Sequence, residues 1–67
     1  MSSASALPPL VSMNDVAKMT TLSRTMINKL RATDSFPKAV ALGPKRIAFV
    51  RAEVMAWIEE RIAARAA

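Results

Sequence analysis

The chain has no cysteine, no histidine and no tyrosine. Without Cys or His there is no zinc finger, haem ligation, thiol nucleophile or Ser-His-Asp triad. A disulfide scaffold is excluded as well, so stability must come from core packing, as suits a reducing cytoplasm. Carboxylates are scarce: five in 67 residues, with Glu53, Glu59 and Glu60 confined to the last fifteen. Glycine occurs once, which leaves no Gly-rich phosphate loop. No apolar run approaches the ~20 residues that cross a bilayer. Residues 1–6 lack both the charged and the apolar part of a signal peptide. These absences argue against an enzyme, a cofactor, a bound metal, a small-molecule substrate and a membrane partner.

What is present is positive charge, unevenly placed. The chain is 67 residues long with a formal charge of +5. Residues 16–51 hold Lys18, Arg24, Lys29, Arg31, Lys38, Lys45, Arg46 and Arg51 against Asp34 alone, a local +7. Residues 52–67 are close to neutral. A concentrated basic block in a chain this small favours a polyanionic partner, most often nucleic acid. A solvated, solubilising surface is the plainer alternative.

Residues 1–9 are rich in Ser, Ala and Pro and read as a disordered leader, which makes 10–67 the domain. Ser12 and Asp15 have the spacing of a capping box, and Met13, Val16 and Ala17 follow on one apolar face. The spacing predicts a helix from there to about Lys18 or Met19. Thr20-Thr21-Leu22 breaks the period, and Ser23 offers a second N-cap. The next helix runs from Arg24 to about Thr33, with Met26, Ile27 and Leu30 on its apolar side and Pro37 behind its end. Two β-prone runs, 39–42 and 47–50, flank a four-residue turn of Gly43, Pro44, Lys45 and Arg46. From about Ala52 the helical period returns, with Val54, Trp57, Ile58 and Ile62 in register. That last helix starts without a good cap, a deficit of about 1 kcal/mol, and 63–67 should fray. Trp57, Phe36 and Phe49 read as core.

The order helix, turn, helix, hairpin, helix describes a winged helix-turn-helix, mainly α with a small β-hairpin. The second helix is the right size for the major groove. Arg24 suits guanine O6/N7 and Asn28 suits adenine N6/N7. Ser23, Thr25, Lys29 and Arg31 suit phosphates at the groove edges. Lys45 and Arg46 are placed for contacts from the hairpin tip, and Lys38 and Arg51 are further phosphate candidates. Arg51 opposes the dipole of the helix it begins and needs another reason to be there.

These residues resemble a family. Leu10-Val11-Ser12-Met13-Asn14-Asp15-Val16-Ala17, Leu22-Ser23-Arg24-Thr25, Phe36-Pro37-Lys38, Leu42-Gly43, Arg46 and Val54-Met55-Ala56-Trp57-Ile58 are similar to the AlpA-like regulators of prophages and mobile elements. Those are similar in turn to phage excisionases and to the DNA-binding head of MerR regulators. The resemblance implies a bacterial cytoplasmic protein with double-stranded DNA as partner, self-associating on repeated sites. It implies an excisionase, or recombination directionality factor: a factor that binds and bends attachment-site DNA so that an integrase, a tyrosine or serine recombinase, excises. A transcriptional regulator of an integrase or excision gene is the alternative within the family. A protein-interaction module of antitoxin type is the alternative outside it. The chain departs from the family pattern at Thr21, where Gly is usual, at Asn28, where an aromatic residue is common, and at Pro44, where a second Gly is frequent. If position 21 requires a left-handed backbone, Thr21 carries strain of order 1 kcal/mol.

Overall fold

Ser12 starts the first helix as its spacing predicts. In a computed structural model that describes residues 7–65, the Ser12 hydroxyl accepts from the Asp15 backbone N–H at 3.1 Å. The Asp15 carboxylate accepts from the Ser12 N–H at 3.3 Å, so both halves of the capping box are made. The helix α1 covers Met13–Thr20 and buries Val16 completely.

Thr21 ends α1 in the left-handed region, at φ 62° and ψ 15°. A β-branched residue is costly there, by about 1–2 kcal/mol, because Cβ crowds the following carbonyl. The Thr20 hydroxyl ties the corner down, donating to the Val16 carbonyl at 2.8 Å and accepting from the Leu22 N–H at 3.3 Å. Thr21→Gly should remove the strain. After the extra chain entropy of glycine, a gain of ~1 kcal/mol is expected, a rise of ~4–8 °C in melting midpoint for a domain this small. Thermal unfolding followed by circular dichroism checks this; an unchanged midpoint would mean that Thr21 stores no strain.

Ser23 then caps α2 (Arg24–Ala32), its hydroxyl accepting from the Met26 N–H at 3.1 Å. Pro37 does not stop this helix. Asp34 does so three residues earlier, at φ 60°. Its N–H donates to the Arg31 carbonyl at 3.0 Å, and the Ser35 N–H reaches back to Leu30 at 2.8 Å, the two bonds of a Schellman motif. Ile27 is fully buried and Leu30 packs on the core. Met26 departs from the expected apolar face: it is 43% exposed.

The hairpin is tighter than the sequence suggests. Strand β2 is Val40–Gly43 and β3 is Arg46–Val50, so only Pro44 and Lys45 turn the chain and Arg46 already pairs with Gly43. Pro44 fixes its own φ near −65°, and neither Gly43 nor Lys45 has a positive φ. The turn is therefore not of the primed kind whose twist suits a hairpin. The strand accommodates this one residue earlier: Ala41 pairs with Ile47 and Gly43 with Arg46, which leaves Leu42 as an extra, bulged residue.

A third strand was not expected. Leu10–Val11, β1, pairs antiparallel with β3 through Leu10–Val50 and Val11–Phe49, giving a sheet of order β1-β3-β2. Immediately after β3 comes α3 (Arg51–Ala64), which has no side-chain cap, as its sequence predicts. Its first N–H is satisfied from afar: Arg51 donates to the Pro9 carbonyl at 2.8 Å. The helix extends through Ala63 and Ala64; of the stretch 63–67 that was expected to fray, residues 66 and 67 lie outside the described residues. Of the proposed leader, residues 1–6 lie outside the described residues.

Helices and sheet close over Val11, Val16, Ile27, Phe36, Phe49 and Val54. Phe36 links the layers, meeting Phe49 edge-on at 5.8 Å and Trp57 at 4.8 Å. The Trp57 indole N–H donates to the Ser35 carbonyl at 2.9 Å and so fastens α3 to the loop behind α2. Ile62 lies off the core and is 52% exposed. The result is a helix-turn-helix followed by a β-wing and a bracing helix. No helix among the described residues is long and apolar enough to cross a membrane.

Candidate nucleic-acid interface

Burying Ile27 and Leu30 fixes which way α2 faces. At 100° per residue, Thr25, Lys29 and Ala32 lie opposite Ile27, while Arg24, Asn28 and Arg31 run along one edge. All of these are exposed except Arg31, which is half-buried. The first turn of α2 contains no carboxylate, whereas α1 has Asp15 and α3 has Glu53. An anion at the start of α2 therefore meets the positive end of the helix dipole unopposed. The Ser23 hydroxyl is engaged as an acceptor in the cap, and its O–H stays available to donate.

The polar edge of α2 is held in place by its own hydrogen bonds. Arg24 donates through a terminal guanidinium nitrogen to the Asn14 side-chain oxygen, from the first turn of α1. A guanidinium has five N–H groups, so this contact orients the fork and leaves donors over. Arg31 donates to the Asn28 side-chain oxygen at 3.0 Å. That oxygen has a second lone pair and the amide NH2 remains, so Asn28 keeps the donor and acceptor that adenine requires. Arg31 also lies over the Phe49 ring, 5.6 Å from its centre, a cation–π contact that joins α2 to the central strand.

The remaining cations divide. Lys45 sits in the two-residue turn and Arg46 at the first position of β3, both exposed. Lys38, where the chain leaves α2 for the hairpin, pairs with Asp34 at 3.8 Å, both side chains at least 80% exposed. Such a pair is worth a few tenths of a kcal/mol at most and is open to exchange. Arg51 is brought to a different place. Its Nε donates to the Pro8 carbonyl at 2.8 Å while its backbone N–H holds Pro9. That is a structural reason for a cation at a helix N-terminus, where the dipole alone would disfavour it.

Three of the five carboxylates gather in one place, which Lys38 also lines. Asp34, Glu53 and Glu60 line a groove beside Phe36 and Trp57, between α3 and the loop after α2. Arg61 from the same groove stacks over Trp57 at 5.8 Å. No group of three or more potential metal ligands exists among the described residues. One functional neighbour escapes sequence reasoning. Asn14 lies ten positions before Arg24, and nothing in its local pattern marks it as the residue that steadies a candidate base reader.

Against known proteins, residues 9–62 match the family model described as prophage CP4-57 regulatory protein, AlpA. An uncharacterized protein of Enterobacteria phage P4, ORF88, is 41% identical over 51 residues. That similarity covers 76% of this chain and 58% of the phage protein, so the chain spans little more than half the length of that relative. No solved structure matches.

Proposed function

The chain belongs to the AlpA family of prophage regulatory proteins, and from that premise we propose that it regulates by binding duplex DNA as a winged reader. In this reading α2 lies in the major groove. Arg24 reads guanine and Asn28 adenine, while Ser23, Thr25 and Lys29 take the phosphates on either side of the groove; Arg31, held by Asn28 and over the Phe49 ring, is a reserve phosphate contact at its edge. The β2–β3 hairpin reaches the neighbouring backbone with Lys45 and Arg46, and Lys38 contacts the phosphates between. Arg51 contributes least, because its guanidinium is engaged with Pro8.

The observation that carries the proposal is the segregation of charge on this architecture. From Lys18 to Thr33, and again from Ser35 to Ala52, every ionised side chain is a cation. Those stretches hold α2 and the hairpin, the two elements that a winged helix-turn-helix presents to DNA. A general solubilising surface has no need to keep carboxylates off both.

Two substitutions divide the work. Arg24→Ala should cost about 1–3 kcal/mol on the preferred site and flatten discrimination between sites, since a lost bidentate contact removes sequence information. Lys45→Ala should weaken all sequences alike and lower the dependence on salt, by about one phosphate's worth of the slope. Titrations of both variants against a selected site and a scrambled duplex provide the check. If the two behaved identically, the assignment of reading to α2 and anchoring to the wing would be wrong.

The finer role proposed is that of an excisionase: a factor without chemistry of its own that assembles in several copies on attachment-site DNA and biases an integrase toward excision. A regulator of an integrase or excision gene would use the same surface. An excision assay with the cognate integrase, run beside a promoter reporter, separates them on one protein.

A further inference from the structure

The hairpin carries a feature that phosphate binding leaves unused. Leu42 is 53% exposed and Ile47 38% exposed, at the end of a sheet whose other end buries Phe49 completely. Leu42 is the bulged residue, beside the Ala41–Ile47 pair and two positions before Pro44. Ala41, Leu42, Pro44 and Ile47 are all exposed about the hairpin turn, which gives it an apolar tip in composition. Pro44 stiffens the turn, and the bulge frees Leu42 from the pairing that aligns its neighbours. Lys45 lies in the turn and Arg46 pairs with Gly43 beside it, and no carboxylate occurs between Asp34 and Glu53.

A rigid apolar tip with cations beside it matches a surface that is anionic at its rim and apolar within. An opened base-pair step in the minor groove, between two rows of phosphates, has that character. We propose that Leu42, backed by Ile47, is a wedge that enters the minor groove next to the α2 site and partly unstacks one base step, kinking the DNA. Lys45 and Arg46 hold the flanking phosphates as the step opens. This inference rests on the DNA-binding reading above and adds a source of specificity to it. Pyrimidine–purine steps such as TA and CA unstack most readily, so the duplex is read at a position where no base edge is hydrogen-bonded.

The test is energy transfer across an end-labelled duplex carrying the preferred site, measured with the full chain and with Leu42→Ala. Leu42 lies outside the core, and circular dichroism confirms that the variant is folded. The wild type is expected to bend the duplex by roughly 20–90°. Leu42→Ala should lose most of the bend while affinity stays within about tenfold and the salt slope is unchanged, because the phosphate contacts remain. Leu42→Met should restore the bend. Replacing a TA step under the wedge by GC should weaken the wild type several-fold and the alanine variant little. Equal bending by wild type and Leu42→Ala overturns the wedge and leaves DNA binding intact. Failure of the wild type to bind duplex DNA overturns the underlying reading instead. A free protein that self-associates, and loses that association in Leu42→Ala, would assign the patch to a second copy and also overturn the proposal.

Discussion

Raising salt from about 50 to about 200 mM is expected to weaken binding to duplex DNA by roughly a hundredfold for one protein copy. The figure follows from counting cations that are free to meet phosphate. Lys29, Lys38, Lys45 and Arg46 are exposed, and only Lys38 has an ionic partner among the described residues, the loosely held Asp34. Each phosphate neutralised releases counterions and contributes about 0.9 to the slope of log K against log salt, so four give about −3.6. Arg24 and Asn28 are left out of the count because their proposed partners are bases, and Arg31 and Arg51 because each is already held within the chain. Fluorescence anisotropy across a salt series checks the prediction. A flat dependence would sink the DNA reading outright. A slope nearer about −5.4, six phosphates' worth, would bring Arg31 and Arg51 into the interface, which requires Arg51 to release Pro8.

Phe49→Ala is expected to leave the chain largely unfolded at 25 °C. Phe49 is fully buried on the central strand, bonded to β2 on one side and β1 on the other. Phe36 meets its ring edge-on and the Arg31 guanidinium lies over the ring. Removing such a side chain costs about 3–5 kcal/mol, from lost burial and the cavity left behind. A single core in a domain this size supplies only about that much. Far-ultraviolet circular dichroism and urea titration read the outcome. Ile62→Ala, at a residue 52% exposed, serves as the contrast and should change stability by less than about 0.5 kcal/mol. A cooperative unfolding transition retained in Phe49→Ala would mean that the core does not converge on this ring.

What could be read in advance was what depends on near neighbours. The Ser12–Asp15 box and the Ser23 cap each need a hydroxyl and a group three residues away, so spacing alone reveals them. The uncapped start of α3 was equally visible, but not its remedy, because the Pro9 carbonyl comes from the far end of the chain. The same distance hid β1: two residues carry no alternation, and their partners lie forty positions on. The end of α2 near Thr33 was legible, but its cause was not: the expected stop was the proline at 37, and the observed one is Asp34, tolerated in the left-handed region. Met26 and Ile62 were expected inside and lie outside. In so thin a core each helix buries a narrow stripe, and residues one step around from it are left in water. For the interface, residue types on α2 and the hairpin were legible from charge. The Asn14–Arg24 and Asn28–Arg31 contacts, and the diversion of Arg51 to Pro8, depend on how helices dock and had no sequence signature.

The pairing of Leu10 and Val11 with Val50 and Phe49 has a consequence for the order of events during synthesis. The helix-turn-helix unit is encoded first, yet Phe49, whose ring joins Val16 and Ile27 in the core, is encoded only after both helices, and the strand that receives β1 comes some forty residues after it. A nascent chain holding only α1 and α2 therefore presents an unroofed apolar surface, and neither helix is long enough to persist alone in water. Closing the core must wait until β3 and the start of α3 have emerged, and a domain with this one shared core is expected to fold as a unit. A truncated product ending before Val54 would present charged helices without a fixed angle between them. Such a fragment is expected to stay unfolded and open to proteolysis, and so not to compete for sites.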